Sequence, residues 1–252
     1  MKTVRKALAI LDSFTKDNQA QGVTDIARRL ELHKSTVHGI LKALTAENYL
    51  IFDHGTRKYA LGFKLLELGG RITYGRDLRD IALPVMQKLS QICDEDTTLN
   101  IRIEGHRVCT AIAESQSFVR HIIPIGKALP LHCSAAGKVL LAYLEPQEIG
   151  AIIDTYGLKR FTANTITNKK RLLAELEAVK SNGYGQSRNE YGKDAAALAF
   201  PVFNGHGTVV AALSIQTTIS RLNEASQGRF VAEGIKASRE ISRFLPEALA
   251  GC

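Results

Sequence analysis

The sequence predicts an α+β chain: an N-terminal winged helix-turn-helix domain over 1–62, a helical linker over 63–77, and a C-terminal domain over 78–252 in which an antiparallel sheet is flanked by helices. Three observations carry this. Apolar residues recur at helical spacing in three short segments before residue 48, and a hairpin pattern follows. From Thr97 the pattern becomes strand, turn, strand, then helices, then strands, then a last helix, an order that favours an antiparallel sheet. The length of 252 residues suits two domains.

The elements follow in order. Val4 to Phe14 reads as a helix with Ala7, Leu8, Ile10, Leu11 and Phe14 on its apolar face. Gly22 breaks the chain, and "VTDIARRL" is a second helix with Thr24 as its expected N-cap. "ELH" is a turn, and Lys34 to Asn48 is a third helix with Val37, Ile40, Leu41 and Leu44 at helical spacing. "YLIFDHGTRKYAL" is a hairpin with a polar tip at Asp53-His54-Gly55. Residues 62–94 look helical, broken by Gly69, Gly70, Gly75 and Pro84, and form the expected connector and, with the first helix, the expected surface between copies. "TLNIRI", "VCTAIAES" and "RHIIPIGK" are strand candidates with a turn at "EGHR". "CSAAGKVLLAYL", "EPQEIGAIIDTYG" and "NKKRLLAELEAVKSNG" are helical, the last ending on Gly183. "LAFPVFNGHGTVVAALSI" is a hairpin, and the last helix runs from about Asn223 to Leu245.

Charge narrows the function classes. The net charge of +8 favours a polyanionic partner. Residues 1–70 hold 11 Lys and Arg against 7 Asp and Glu, so this part is more than twice as basic per residue as the rest. The exposed face of the third helix opens Lys34, Ser35, Thr36, His38 and meets no acid before Glu47. In a winged helix-turn-helix that turn enters the major groove. Ser35, Thr36 and His38 then reach base edges or phosphates, while Lys34, Lys42, Arg57 and Lys58 neutralise phosphates. The start of the chain does not read as a signal peptide, and no apolar run approaches the ~18–20 residues of a membrane span. Cys93, Cys109, Cys133 and Cys252 show neither CxxC spacing nor a paired His motif, so no metal, cofactor or disulfide framework is expected and a reducing cytoplasm is.

"TVRKALAILDSF", "GVTDIARRLELHKSTVHGILKALTAENYL" and "RKYALGFKLLELG" resemble the IclR family of bacterial transcription regulators, and "LPLHCSAAGKVLLAYL", "NGYG" and "AFPVFNGHGTVVAALSI" extend the resemblance over nearly the whole chain. It implies a GAF/profilin-like C-terminal domain that holds a small organic acid or aromatic compound, a pseudo-palindromic operator, repression more than activation, and a dimer or a tetramer built from dimers. One departure is Gly39, where many relatives carry Arg; it weakens the helix by roughly 1 kcal/mol against Ala.

Carried over residue by residue, the family's pocket puts backbone amides of Ala135 and Ala136 at the ligand and Phe118, His121 and Leu129 on the preceding wall. Ser187 stands where relatives have an acid, Ala195 and Ala197 where larger side chains occur, and Ser214 and Gln216 face inward from the last strand. From the residues alone, "PLHCSAAGK" is either an anion site at a helix start or a Ser134 N-cap with close packing by Ala135, Ala136 and Gly137. Two other readings stand beside the sensor: a DNA-binding scaffold without ligand, and an acyl-transfer enzyme using Cys133 or Ser134.

Overall fold

A computed structural model of the chain describes residues 2–15, 18–71, 76–116 and 124–245. They fall into two compact units, 1–74 and 75–252.

The first unit opens with α1 (Lys2–Asp12), α2 (Val23–Arg29) and α3 (Lys34–Ala46). Helix α1 starts two residues before the expected Val4 and stops before Phe14. Gly22 in extended conformation precedes α2 as its N-cap, so Thr24 is already helical and does not cap. The α2–α3 turn is built by the end of α2. Glu31 takes a left-handed φ of 54°, and Leu32 N–H donates to Ala27 O at 2.9 Å, the six-to-one bond of a Schellman motif. The same device ends α3 two residues short of Asn48. Asn48 has φ 61°, and Tyr49 N–H donates to Leu44 O at 2.8 Å. Ile10, Ile26, Val37, Leu41 and Leu50 are buried together as this unit's core.

Strands β1 (Leu50–Asp53) and β2 (Lys58–Leu61) pair antiparallel, with Asp53 opposite Lys58. Asp53 closes the wing: its carboxylate accepts from Thr56 Oγ1 at 2.7 Å and Gly55 N at 2.8 Å, and these bonds hold its pKa below the ordinary value. Gly62 follows because a Cβ there would lie 2.2 Å from Asn48 O. Helix α4 (Phe63–Gly70) completes the unit and leaves Phe63 and Leu66 exposed.

The second unit begins with α5 (Arg76–Cys93), which buries Leu78, Ala82, Met86 and Leu89 in the domain core. The second half of the expected connector thus packs its apolar stripe into the core against the sheet. Then come β3 (Asp96–Ile103), β4 (His106–Ala113), β5 (Ala128–Pro130), α6 (Ala135–Ala142), α7 (Pro146–Tyr156), α8 (Lys169–Asn182), β6 (Gly185–Arg188), β7 (Ala195–Phe203), β8 (Val209–Thr218) and α9 (Glu224–Arg243). The sheet order is β5-β4-β3-β8-β7-β6, and its pairings are antiparallel. Of the strand expected over "RHIIPIGK", residues 120–123 lie outside the described residues, and Pro124–Lys127 form a turn ahead of β5 rather than a strand. The short strands β5 and β6, at the sheet's two edges, were not expected as strands.

The sheet is covered on two sides. Helices α5 and α9 bury their apolar faces with Leu99, Phe200, Leu213 and Ile215. Gly234 lets α9 approach closely: a Cβ there would lie 2.0 Å from the Phe200 ring. Helices α6, α7 and α8 form a second core with Ala197, Ala199 and Ala212. Residues alternate faces along a strand, so Ala197 and Ala199 on β7 serve the α6 side while Leu198 and Phe200 serve the other. Small side chains on the α6 side let that helix sit close. Gly137 lets the start of α6 pack on the segment that leads into it: a Cβ there would lie 2.0 Å from Leu131 O.

Candidate functional site: a basic head and a donor-lined cavity

On the first unit, Lys34, Ser35, His38 and Lys42 are exposed along α3 and Thr36 is half-buried. Arg57 and Lys58 are exposed on the wing, Arg57 with φ 55° at the end of its turn. All seven expected DNA-contact residues thus stand on a surface, on the two elements that a winged helix presents to a duplex. Gly39 lies on the same exposed face with nothing within 4 Å of a Cβ built there.

On the second unit, a cavity of about 160 Å³ opens between the start of α6 and the sheet. It is far above the ~10–15 Å³ that admits one water. Seven expected ligand residues line it: Leu129, Ala135, Ala136, Ser187, Ala195, Ala197 and Gln216. Phe118 and His121 lie outside the described residues. Ser214 needs correcting. It shares the cavity's side of the sheet but is fully buried and off the wall, with Asn100 Nδ2 at 3.4 Å from its Oγ.

The helix start serves both of the purposes left open above. Ser134 Oγ accepts from Gly137 N at 3.1 Å, an N-cap in the ordinary sense. Ser134, Ala135 and Ala136 still line the cavity.

Sequence reasoning missed Arg107. It lies on β4, lines the cavity, and is only 3% exposed. Its Nη1 donates to Asn100 Oδ1 at 2.6 Å, and its Nε has no partner. Burial pushes its pKa below the usual arginine value. Among the described residues, Lys127 is a second cation on the wall, and the lining holds no Asp or Glu. Asn100 Nδ2 donates to Thr98 Oγ1 at 3.0 Å, and Gln216 Nε2 reaches the same oxygen at 3.1 Å. A polar relay under the cavity floor therefore ties Arg107 to Gln216.

The adjacent His132, Cys133 and Ser134 do not assemble a nucleophile. Burial pushes the Cys133 thiol up to about 12. His132 lines a different cavity with Ile153 and Tyr156, and its Nε2 donates to Lys159 O at 3.0 Å. Ser134 Oγ is engaged as the cap. Among the described residues no group of three His, Cys, Asp or Glu gathers to hold a metal, and no helix is long and apolar enough to cross a membrane.

Residues 3–54 match the IclR helix-turn-helix domain, and residues 71–243 match the C-terminal domain of bacterial transcriptional regulators of the IclR type. The chain belongs to the IclR family. Its helix-turn-helix binds DNA and its C-terminal domain is that of a ligand-responsive regulator. It is 32% identical over 255 residues to the HTH-type transcriptional regulator XynR of Escherichia coli K12, covering 97% of each chain. It is also 32% identical to the HTH-type transcriptional repressor AllR of the same strain, over 98% of this chain and 90% of AllR. Among solved structures, an IclR homologue from Microbacterium hydrocarbonoxydans complexed with 4-hydroxybenzoate superposes with a TM-score of 0.83 at 26% identity, over 96% of this chain and 98% of that one. The IclR resemblance and the α+β architecture read from the sequence are both borne out.

Proposed function

We propose that this IclR-family protein is a cytoplasmic repressor that releases or rearranges on its operator when the cavity takes a small organic acid or aromatic carboxylate. One observation carries the ligand class: the cavity wall holds Arg107, Lys127 and the hydroxyl and amide groups of Ser187 and Gln216, with no carboxylate among its described residues. Ala135, Ala136, Ala195, Ala197 and Leu129 supply an apolar wall for the ligand's body. An anionic ligand gains from such a wall and a cationic one is repelled. The bound 4-hydroxybenzoate in the Microbacterium homologue and the repressor AllR support the same reading.

Lys34, Ser35, Thr36, His38, Lys42, Arg57 and Lys58 contact the operator in this reading. Two heads on a symmetric assembly read a pseudo-palindrome. The assembly is a dimer, or a tetramer of two dimers. Exposed Val4 and Leu8 on α1 and Phe63 and Leu66 on α4 offer apolar surface for it. Cys133 and Ser134 supply no activated nucleophile to this reading: burial pushes the thiol up, Ser134 Oγ caps α6, and His132 lines a different cavity.

The test is fluorescence anisotropy on a duplex selected from random DNA by the full-length protein, repeated with a panel of small acids, amines and sugars. An acid that changes operator affinity supports the reading. A tight amine or an uncharged sugar, with no acid acting, overturns it.

A further inference from the structure

We propose that Arg107 is the anchor for the ligand's carboxylate, receiving it on the N–H groups that Asn100 leaves free. This rests on the reading of the cavity as an acid-binding site and adds the residue that holds the acid and the direction in which the ligand lies.

The guanidinium is 3% exposed and lines the cavity, yet its protein partner is a neutral amide oxygen, Asn100 Oδ1. Its Nε has no acceptor. No ion pair involving Arg107 exists among the described residues, and residues 117–123 contain no Asp or Glu in their sequence. An unpaired buried charge is costly, and proteins ordinarily pair it. Arginine presents a planar fork that matches a carboxylate with two parallel hydrogen bonds. An orphan Nε–H beside a cavity that lacks acids is the donor set such a ligand completes.

The surroundings hold the fork in place. Asn100 is itself fixed by Thr98 Oγ1 at 3.0 Å, and Thr98 Oγ1 receives Gln216 Nε2 at 3.1 Å. Arg107 is also opposite Leu129 in the β4–β5 ladder. The acid end of the ligand therefore points at β4, and its body lies along Ala135, Ala136, Ala195 and Ala197. The start of α6 has a lesser share, since Ser134 already takes Gly137 N–H.

The experiment titrates the full chain by calorimetry with benzoate and 4-hydroxybenzoate and with the neutral benzamide and 4-hydroxybenzamide. Wild type is expected to prefer acid over matching amide by tenfold or more. Arg107→Gln is expected to erase that preference, and Arg107→Lys to keep part of it. If Arg107→Gln keeps the full preference, the anchor lies elsewhere while the acid reading stands. If wild type binds the amides as well as the acids, or binds none of the four, the acid reading fails and the anchor with it. A readout on the unaltered protein guards against a variant that does not fold: the Arg107 Nε–H resonance should shift on adding an acid and stay in place with its amide. An unmoved resonance at saturating acid overturns the proposal.

Discussion

Arg107 Nη1 lies 2.6 Å from Asn100 Oδ1, so a buried guanidinium lining the α6 cavity rests on a side chain that carries no charge. Asn100 is itself completely buried. The pair makes a prediction in each direction. Asn100→Leu removes a hydrogen bond to a charged group and should destabilise the folded chain by about 1.5–3 kcal/mol in urea denaturation. Asn100→Asp supplies the missing counter-charge inside the protein. It should lower acid affinity at least tenfold, about 1.4 kcal/mol, by occupying the cation that the ligand needs. An unchanged affinity in the Asp variant would count against charge as the basis of recognition.

Two glycines should respond oppositely to the same substitution. Gly137→Ala forces a Cβ to within 2.0 Å of Leu131 O, a backbone atom that cannot swing away. A loss of about 1–3 kcal/mol or more is expected, with a drop in melting temperature. Gly39→Ala meets nothing within 4 Å and sits mid-helix in α3. It should stabilise the DNA-free protein by about 0.5–1 kcal/mol.

The buried cation of the α6–α8 side behaves differently from Arg107. Lys138 is 1% exposed, and its Nζ lies 2.7 Å from both Glu175 Oε1 and Glu190 Oε1. Lys138→Met leaves Glu190 buried without its counter-charge and should cost about 3–5 kcal/mol in urea denaturation. Burial raises the Glu190 carboxyl above its ordinary 4.5. The folded state thus binds that proton more tightly than the unfolded chain. The stability this gives is fully present below pH 4.5 and is lost as pH rises through the higher folded value. Glu190→Gln should remove this falling component from a pH series of unfolding curves. A series unchanged by the substitution would show that Glu190 does not titrate in this way.

DNA contacts should separate by type. Arg57→Ala removes a wing cation and should weaken binding to operator and random duplex alike, with a shallower salt dependence. Thr36→Ala touches the groove-facing turn and should reduce the ratio of specific to random binding more than it reduces random binding. Anisotropy titrations at several salt concentrations check both. Identical salt slopes for Arg57→Ala and wild type would remove Arg57 from the phosphate contacts.

Leu66 is 74% exposed on α4, and Leu8 is 55% exposed on α1. If these positions are covered by a second copy, Leu66→Glu should shift sedimentation toward monomer and lower operator affinity together. A variant that sediments as wild type would leave the interface to other surfaces.

The parts legible from sequence are those whose signal is local. Helix α3 declared itself by the spacing of Val37, Ile40, Leu41 and Leu44, and the wing by a polar tip between two apolar runs. The helix ends were harder. The left-handed turns at Glu31 and Asn48 use residues other than glycine, so no breaker marked them. Arg107 was hidden for a stronger reason. At the end of "EGHR" a cation two residues after a Gly reads as part of an exposed turn, whereas the turn is only Glu104–Gly105 and Arg107 lies in β4. Its neighbours across the cavity come from α6, β6, β7 and β8, at least 28 residues away in the chain. Ser214 was misplaced for the complementary reason: alternation gave its face of the strand, but the side chain of Asn100 reaches it there.

The sheet order β5-β4-β3-β8-β7-β6 puts an early and a late stretch of chain side by side, joined where Thr97 pairs with Ile215. Among the described residues the cavity draws its wall from Arg107 and the stretch Lys127 to Ala136, and again from between Ser187 and Gln216. During synthesis the DNA-binding unit is therefore complete more than a hundred residues before Gln216 has been added. A ribosome-bound chain at that stage owns a reader with no sensor, and any product truncated ahead of β6 would carry a basic head that no metabolite can address through this cavity.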